Sequence, residues 1–103
     1  KRRLKVVVHT SDIRGAGTSA NVSLVIFDAQ GNRSAEHALD NSKDNFSRAQ
    51  VDEFLLVDDG ALVGEIARIN IGHDGGGLGS GWHLQQVEIT DVASGDTYFF
   101  PSG

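Results

Sequence analysis

Cysteine is absent from the 103 residues, which excludes disulfides and thiolate metal sites and leaves the redox compartment unread. Proline occurs once, so the chain has no polyproline character. No apolar run approaches the roughly 20 residues that cross a bilayer as a helix. Four of the nine basic side chains fall in the first five positions (Lys1, Arg2, Arg3, Lys5), yet no apolar signal-peptide core follows them. Positive charge is scarce overall: the formal net charge is −5, and phosphate neutralisation needs Lys and Arg clustered on one face, so nucleic acid is not expected as a partner. An initiator methionine is also lacking, and the chain is expected to be an excised piece of something longer. What is present is the composition of a folded globule, 39% hydrophobic and 22% charged with 13 glycines, at a length that suits one domain spanning residues 1–103.

The hydrophobic pattern has a period of two. Leu4, Val6 and Val8 alternate with Lys5, Val7 and His9, the rhythm of a half-buried strand. It recurs in Val22, Leu24 and Ile26, in Phe54 and Leu56, in Ile69 and Ile71, in Trp82 and Leu84, in Val87 and Ile89, and in Tyr98 and Phe100. The change of parity between Leu84 and Val87 fits a bulge or a bend. Turn formers separate these runs: Ser11-Asp12, Gly15 to Gly17, Ala29 to Asn32, Asp40 to Asp44, Asp58 to Gly60, Gly72 to Gly81 and Ser94 to Asp96. Phe46 to Phe54 has some helical spacing, but a single amphipathic turn is marginal, and it reads as a loop entering a strand. Short strands divided by turns, with no convincing helix, predict an all-β, two-sheet sandwich.

Strands in this order direct the segments Asp12–Ser19, Asp40–Ser47 and His73–Gly81 to one end of the sandwich. They carry the carboxylates of Asp12, Asp40, Asp44 and Asp74, the amides of Asn41 and Asn45, and carbonyls at Gly15, Ala16 and Gly17. A hard cation such as Ca²⁺ takes about 6–8 oxygen ligands of these kinds, and glycine-rich turns let carbonyls face inward. Asp and Asn are equally ordinary turn residues that bond their own backbone, so both readings stand at this point. The run Gly72–Gly81 lacks the Lys-Ser/Thr ending of a phosphate loop and has no helix after it. It occurs once, so it is not a calcium-binding glycine repeat either. The four histidines (His9, His37, His73, His83) have no zinc spacing. No serine sits in a Gly-x-Ser-x-Gly elbow, and no nucleophile, base and orienter share a meaningful spacing, so the chain is not expected to be an enzyme.

Four stretches together resemble the PLAT domain, also called the lipoxygenase-homology or LH2 domain. They are Val6-Val7-Val8-His9-Thr10 with Asp12-Ile13-Arg14-Gly15-Ala16-Gly17-Thr18-Ser19-Ala20-Asn21-Val22; Lys43-Asp44-Asn45-Phe46-Ser47-Arg48-Ala49-Gln50-Val51-Asp52; Ile69-Asn70-Ile71-Gly72-His73-Asp74 with Gly79-Ser80-Gly81-Trp82; and Thr97-Tyr98-Phe99-Phe100-Pro101. The resemblance implies an eight-stranded antiparallel β-sandwich, C2-like, that is non-catalytic and docks on membranes or proteins, in several members with calcium. Carried over by position, it implies calcium ligands at the backbone oxygens of Gly15, Gly17 and Thr18, the side chains of Asp40, Asn41, Asp44, Asn45 and Asp74, and the Gly81 carbonyl. Ser19 and Ser47 stand where many members carry Asp and Glu, which implies a weak or single site rather than two tight ones.

Membrane contact is expected at Ile13 and Leu78, apolar residues flanked by loop formers, with Arg14 as a phosphate contact or a salt-bridge partner of Asp12 or Asp74. Trp82 opens a strand and is expected in the core. Arg48 and Asp52 match a family Arg…Asp pair and are expected to brace the crossing loop. The expected function is calcium-assisted lipid binding and peripheral membrane association by a monomeric targeting module. The alternatives are a protein–protein interaction module, or an accessory domain of a lipase or lipoxygenase type of enzyme.

Overall fold

Strict alternation of burial lays out the sheets. Leu4, Val6 and Val8 are almost fully removed from solvent while their neighbours are not, and Phe54 and Leu56 repeat the pattern on the next strand over. The computed structural model describes residues 1–12, 22–39, 49–73 and 84–101. Within them lie seven strands: β1 (Arg2–Thr10), β2 (Val22–Asp28), β3 (His37–Ala38), β4 (Val51–Asp58), β5 (Ile66–His73), β6 (Leu84–Asp91) and β7 (Thr97–Pro101). No helix occurs among the described residues, so none is long and apolar enough to cross a membrane.

All pairings are antiparallel. One sheet has the order β4-β1-β6-β7 and the other β3-β2-β5. The inward residues of the two sheets meet in one core: Leu4, Val6, Val8, Phe54, Val87 and Ile89 from the first face Val22, Leu24, Ile26 and Ile66 from the second. Burying a side chain of this size contributes about 1.5–3 kcal/mol, and this shared core is what joins the two layers. Ile69, Ile71, Leu84, Tyr98 and Phe100 close its margins. The expected period-two runs therefore become strands with the expected inward faces. The expected change of parity is a bulge: Thr10 pairs with Leu84 and His9 with Gln86, which leaves Gln85 as the extra residue. A second irregularity lies between Phe27 and Asp28, opposite Ala67.

The reading of Phe46 to Phe54 as a lead into a strand agrees with β4 from Val51 onward, and Phe46 to Arg48 lie outside the described residues. Trp82, expected in the core, also lies outside them.

Candidate functional site

The stems of three connections meet at one end of the sandwich. In the four-stranded sheet, the Thr10 amide donates to the Gln50 carbonyl at 3.0 Å and the Ala49 amide to the Ser11 carbonyl at 3.1 Å. Thr10 also pairs with Leu84. These bonds bring together the point where the chain leaves β1 and the points where it enters β4 and β6. In the three-stranded sheet, the Leu39 amide donates to the Val22 carbonyl at 2.9 Å, and Val22 pairs with His73. Here the start of β2 meets the ends of β3 and β5. Residues 13–21, 40–48 and 74–83 thus each join one sheet to the other across the same pole.

Every residue predicted to bind metal (Gly15, Gly17, Thr18, Asp40, Asn41, Asp44, Asn45, Asp74 and Gly81) belongs to these three segments and lies outside the described residues, as do Ile13, Arg14 and Leu78. The stems themselves are described. Ala49 is held at a φ of 60°, a left-handed conformation that costs a non-glycine residue about 1–2 kcal/mol. Its bond to Ser11 helps to fix it there. Asp52 is buried on the inward face of β4, and its carboxylate accepts a hydrogen bond from the Gln50 side-chain amide. That bond braces the stem, while the expected pairing of Asp52 with Arg48 lies outside the described residues. The described residues contain no group of three or more His, Asp or Glu side chains placed to share a metal.

The opposite end is built on aspartate in a different way. β2, β4 and β6 each finish in a buried one: Asp28, Asp58 and Asp91. Asp28 receives four N–H donors, from the Gln30 and Asn32 amides at 2.9 Å, the Asn32 side chain at 2.9 Å and the Val63 amide at 2.8 Å. The Val63 donor is the largest influence on its acidity, and the set lowers its pKa from 3.8 to about 2. Asp58 accepts the Leu62 amide at 2.9 Å. Asp91 caps the next turn by accepting the Ala93 and Ser94 amides, and it takes the Arg2 Nε at 2.8 Å. Burial opposes ionisation of Asp91, but the Arg2 guanidinium and the two amides outweigh it and hold the pKa below the ordinary value. In the sequence Asp58 is read only as a turn former, and Asp28 and Asp91 are not singled out. Their one common signal is position, each standing directly after a run of strand residues. Beside the Arg2–Asp91 pair lies an open groove of about 620 Å³, walled by Leu62, Val63, Glu65, Asp96 and Tyr98.

The family model for the PLAT/LH2 domain matches residues 4–103. Human lipoxygenase homology domain-containing protein 1 is 39% identical over 99 residues, 96% of this chain and 5% of that protein. The crystal structure of coral 8R-lipoxygenase, described for its calcium activation via a C2-like domain, superposes with a TM-score of 0.84 at 28% identity, covering 97% of this chain and 15% of the enzyme. A calcium-dependent 11R-lipoxygenase superposes at 0.76 with 34% identity, covering 99% of this chain and 15% of that one. The chain therefore spans only a small part of each protein that it matches. Matched along nearly its whole length and folded as an antiparallel sandwich like the C2-like domains of these lipoxygenases, the chain belongs to the PLAT/LH2 domain family.

Proposed function

We propose that this chain is a non-catalytic module that docks on a lipid surface with the help of calcium and thereby targets the longer protein it belongs to. The observation that carries this reading is the meeting of three connection stems at one pole, fixed by the Thr10–Gln50, Ala49–Ser11 and Leu39–Val22 backbone bonds. Between those stems the sequence supplies hard oxygen donors suited to calcium: the carboxylates of Asp40, Asp44 and Asp74, the amides of Asn41 and Asn45, and the carbonyls of Gly15, Gly17, Thr18 and Gly81. The calcium activation described for the coral lipoxygenase supports the same assignment. In this reading the ion offsets the repulsion between an acidic chain and anionic headgroups. Ile13 and Leu78 enter the interface, and Arg14 contacts phosphate. The test is sedimentation with phosphatidylserine vesicles in calcium and in chelator. Binding is expected to rise with calcium and to fall for Asp44→Ala and Asp74→Ala, and pelleting unchanged by both would end this reading.

A second reading, a protein–protein interaction module, is favoured by one feature. Among the described residues β4 is an edge strand, and its outward residues Val51, Leu55 and Val57 are 57%, 64% and 43% exposed. An exposed apolar edge of this length is a surface on which partner chains pair or pack.

A further inference from the structure

Among the described residues, β3, β4, β5 and β7 form the margins of the two sheets, and β4 differs from the rest. β3 is two residues long, β7 ends in Pro101, and β5 carries Arg68 beside the irregularity between Phe27 and Asp28. Short length, proline, charge and bulges are the devices that keep one sheet from adding to another. β4 spans eight residues with neither proline nor lysine. Its register with β1 runs from Asp58 to Val51 without a break.

The direction of its backbone follows from one bond. The Thr10 amide donates to the Gln50 carbonyl, and antiparallel ladders alternate hydrogen-bonded with non-hydrogen-bonded pairs. The unbroken register then gives the bonds with β1 to Asp52, Phe54, Leu56 and Asp58. Val51, Glu53, Leu55 and Val57 turn their N–H and C=O groups away from β1. These are also the residues whose side chains point out of the core, and all of them are exposed. The outer margin of β4 therefore offers backbone groups and apolar side chains together.

This row complements itself. Laid antiparallel on a second copy about a two-fold axis beside Phe54, it sets Val51 against Val57 of the second copy and Leu55 against Glu53 of the second copy, and the reverse. About eight hydrogen bonds result, two for each hydrogen-bonded pair. Like charges stay apart in that register. Lys5 pairs with Leu55 on β1, so each Leu55 is flanked by the Lys5 of its own copy and the Glu53 of the other. We infer that β4 joins a second copy of this chain edge to edge, extending the four-stranded sheet across a two-fold axis. This rests on the reading of β4 as an interaction surface and names its partner. The contact is isologous, since both copies offer the same strand, and the guarded β7 margin ends growth at two.

The experiment is sedimentation velocity of the 103-residue chain over a concentration series in chelator, which leaves the proposed calcium pole out of play. A dimer share that rises with concentration is expected. Leu55→Pro removes an N–H from the outer row and none from the ladder with β1, and Val51→Glu/Val57→Glu sets carboxylates opposite each other. Each is expected to weaken the dimer about tenfold or more, and the double variant serves if the proline does not fold. Because the chain has no cysteine, mild oxidation of Val51→Cys mixed with Val57→Cys reads the register. The mixed disulfide is expected, and neither variant alone should cross-link. A dimer that survives both edge variants, or cross-linking as strong in the single variants as in the mixture, overturns the proposal. If the wild type stays monomeric but takes up a labelled peptide of alternating valine and threonine, the proposal falls and the broader reading of β4 stands. If it does neither, both fall.

Discussion

In the proposed function the two ends of this sandwich use aspartate for opposite purposes. At the end where β2, β4 and β6 finish, Asp28, Asp58 and Asp91 turn inward and are occupied by backbone amides, by the Asn32 side chain and by Arg2. Carboxylates that accept the protein's own N–H groups in this way close turns. At the other end Asp40, Asp44 and Asp74 belong to connections whose stems converge, and the proposed occupant is a cation from solution. In the proposed reading the same residue type serves as structure where donors from its own chain reach it, and as a binding group where the connections are rich in oxygen donors. The fold separates the two uses by the length of the sheets.

Calcium should produce the largest effect. A ligand that binds only the folded state at a hundred times its dissociation constant stabilises by about 2.7 kcal/mol, a rise of about 10 °C or more in the thermal midpoint for a domain of this size. Calorimetry in calcium and in chelator reads it, and coincident midpoints would erase the distinction between the poles. Next, Asp58→Ala strands the buried Leu62 amide and should cost about 1–3 kcal/mol. Its midpoint shift on adding calcium should equal that of the wild type, and a reduced shift would mean that the two ends are coupled.

Acid should act on the closed end. The Asp28 carboxyl has a pKa of about 2 when folded against an ordinary 3.8. Its contribution is therefore fully present above the higher value and disappears as pH falls through the lower one. The stability gap between wild type and Asp28→Asn should narrow over that interval in a pH series of denaturant melts. A gap constant with pH would show that the charge of Asp28 is irrelevant. The smallest effect should come from Ala49→Gly, which relieves the left-handed backbone at the foot of the proposed calcium pole and should stabilise by about 1 kcal/mol in chemical denaturation.

Much of this architecture is legible in the sequence because alternation is a local property. Leu4, Val6 and Val8 or Val87 and Ile89 need no knowledge of their partners to be read as inward, and the parity change after Leu84 marks the bulge at Gln85 without any structure. The turns at Gly31, Gly60 and Gly95 are equally local, since all three adopt positive φ. What is not legible depends on register between distant segments. Val63 reaches Asp28 across 35 residues, and Arg68 reaches Phe27 only because β5 pairs with β2 in one alignment. The candidate calcium site is intermediate: its donor types are visible as composition in three connections, and the meeting of the stems of those connections follows only from which strand ends are neighbours. The outward Val51, Leu55 and Val57 were invisible for another reason, since they interrupt the apolar-in, polar-out rule on an edge strand.

The topology also sets how this module bears load. β1 begins at the closed end, where Arg2 pairs with Asp58 and grips Asp91, while β7 finishes at the other end, where Pro101 pairs with Gln86. Both strands lie antiparallel to β6 and so run parallel to each other on its two sides. Tension applied through the two termini pulls β1 and β7 in opposite directions along β6. The ladders are then loaded in shear, with all their hydrogen bonds strained together instead of unzipping one after another, the arrangement that resists stretching best.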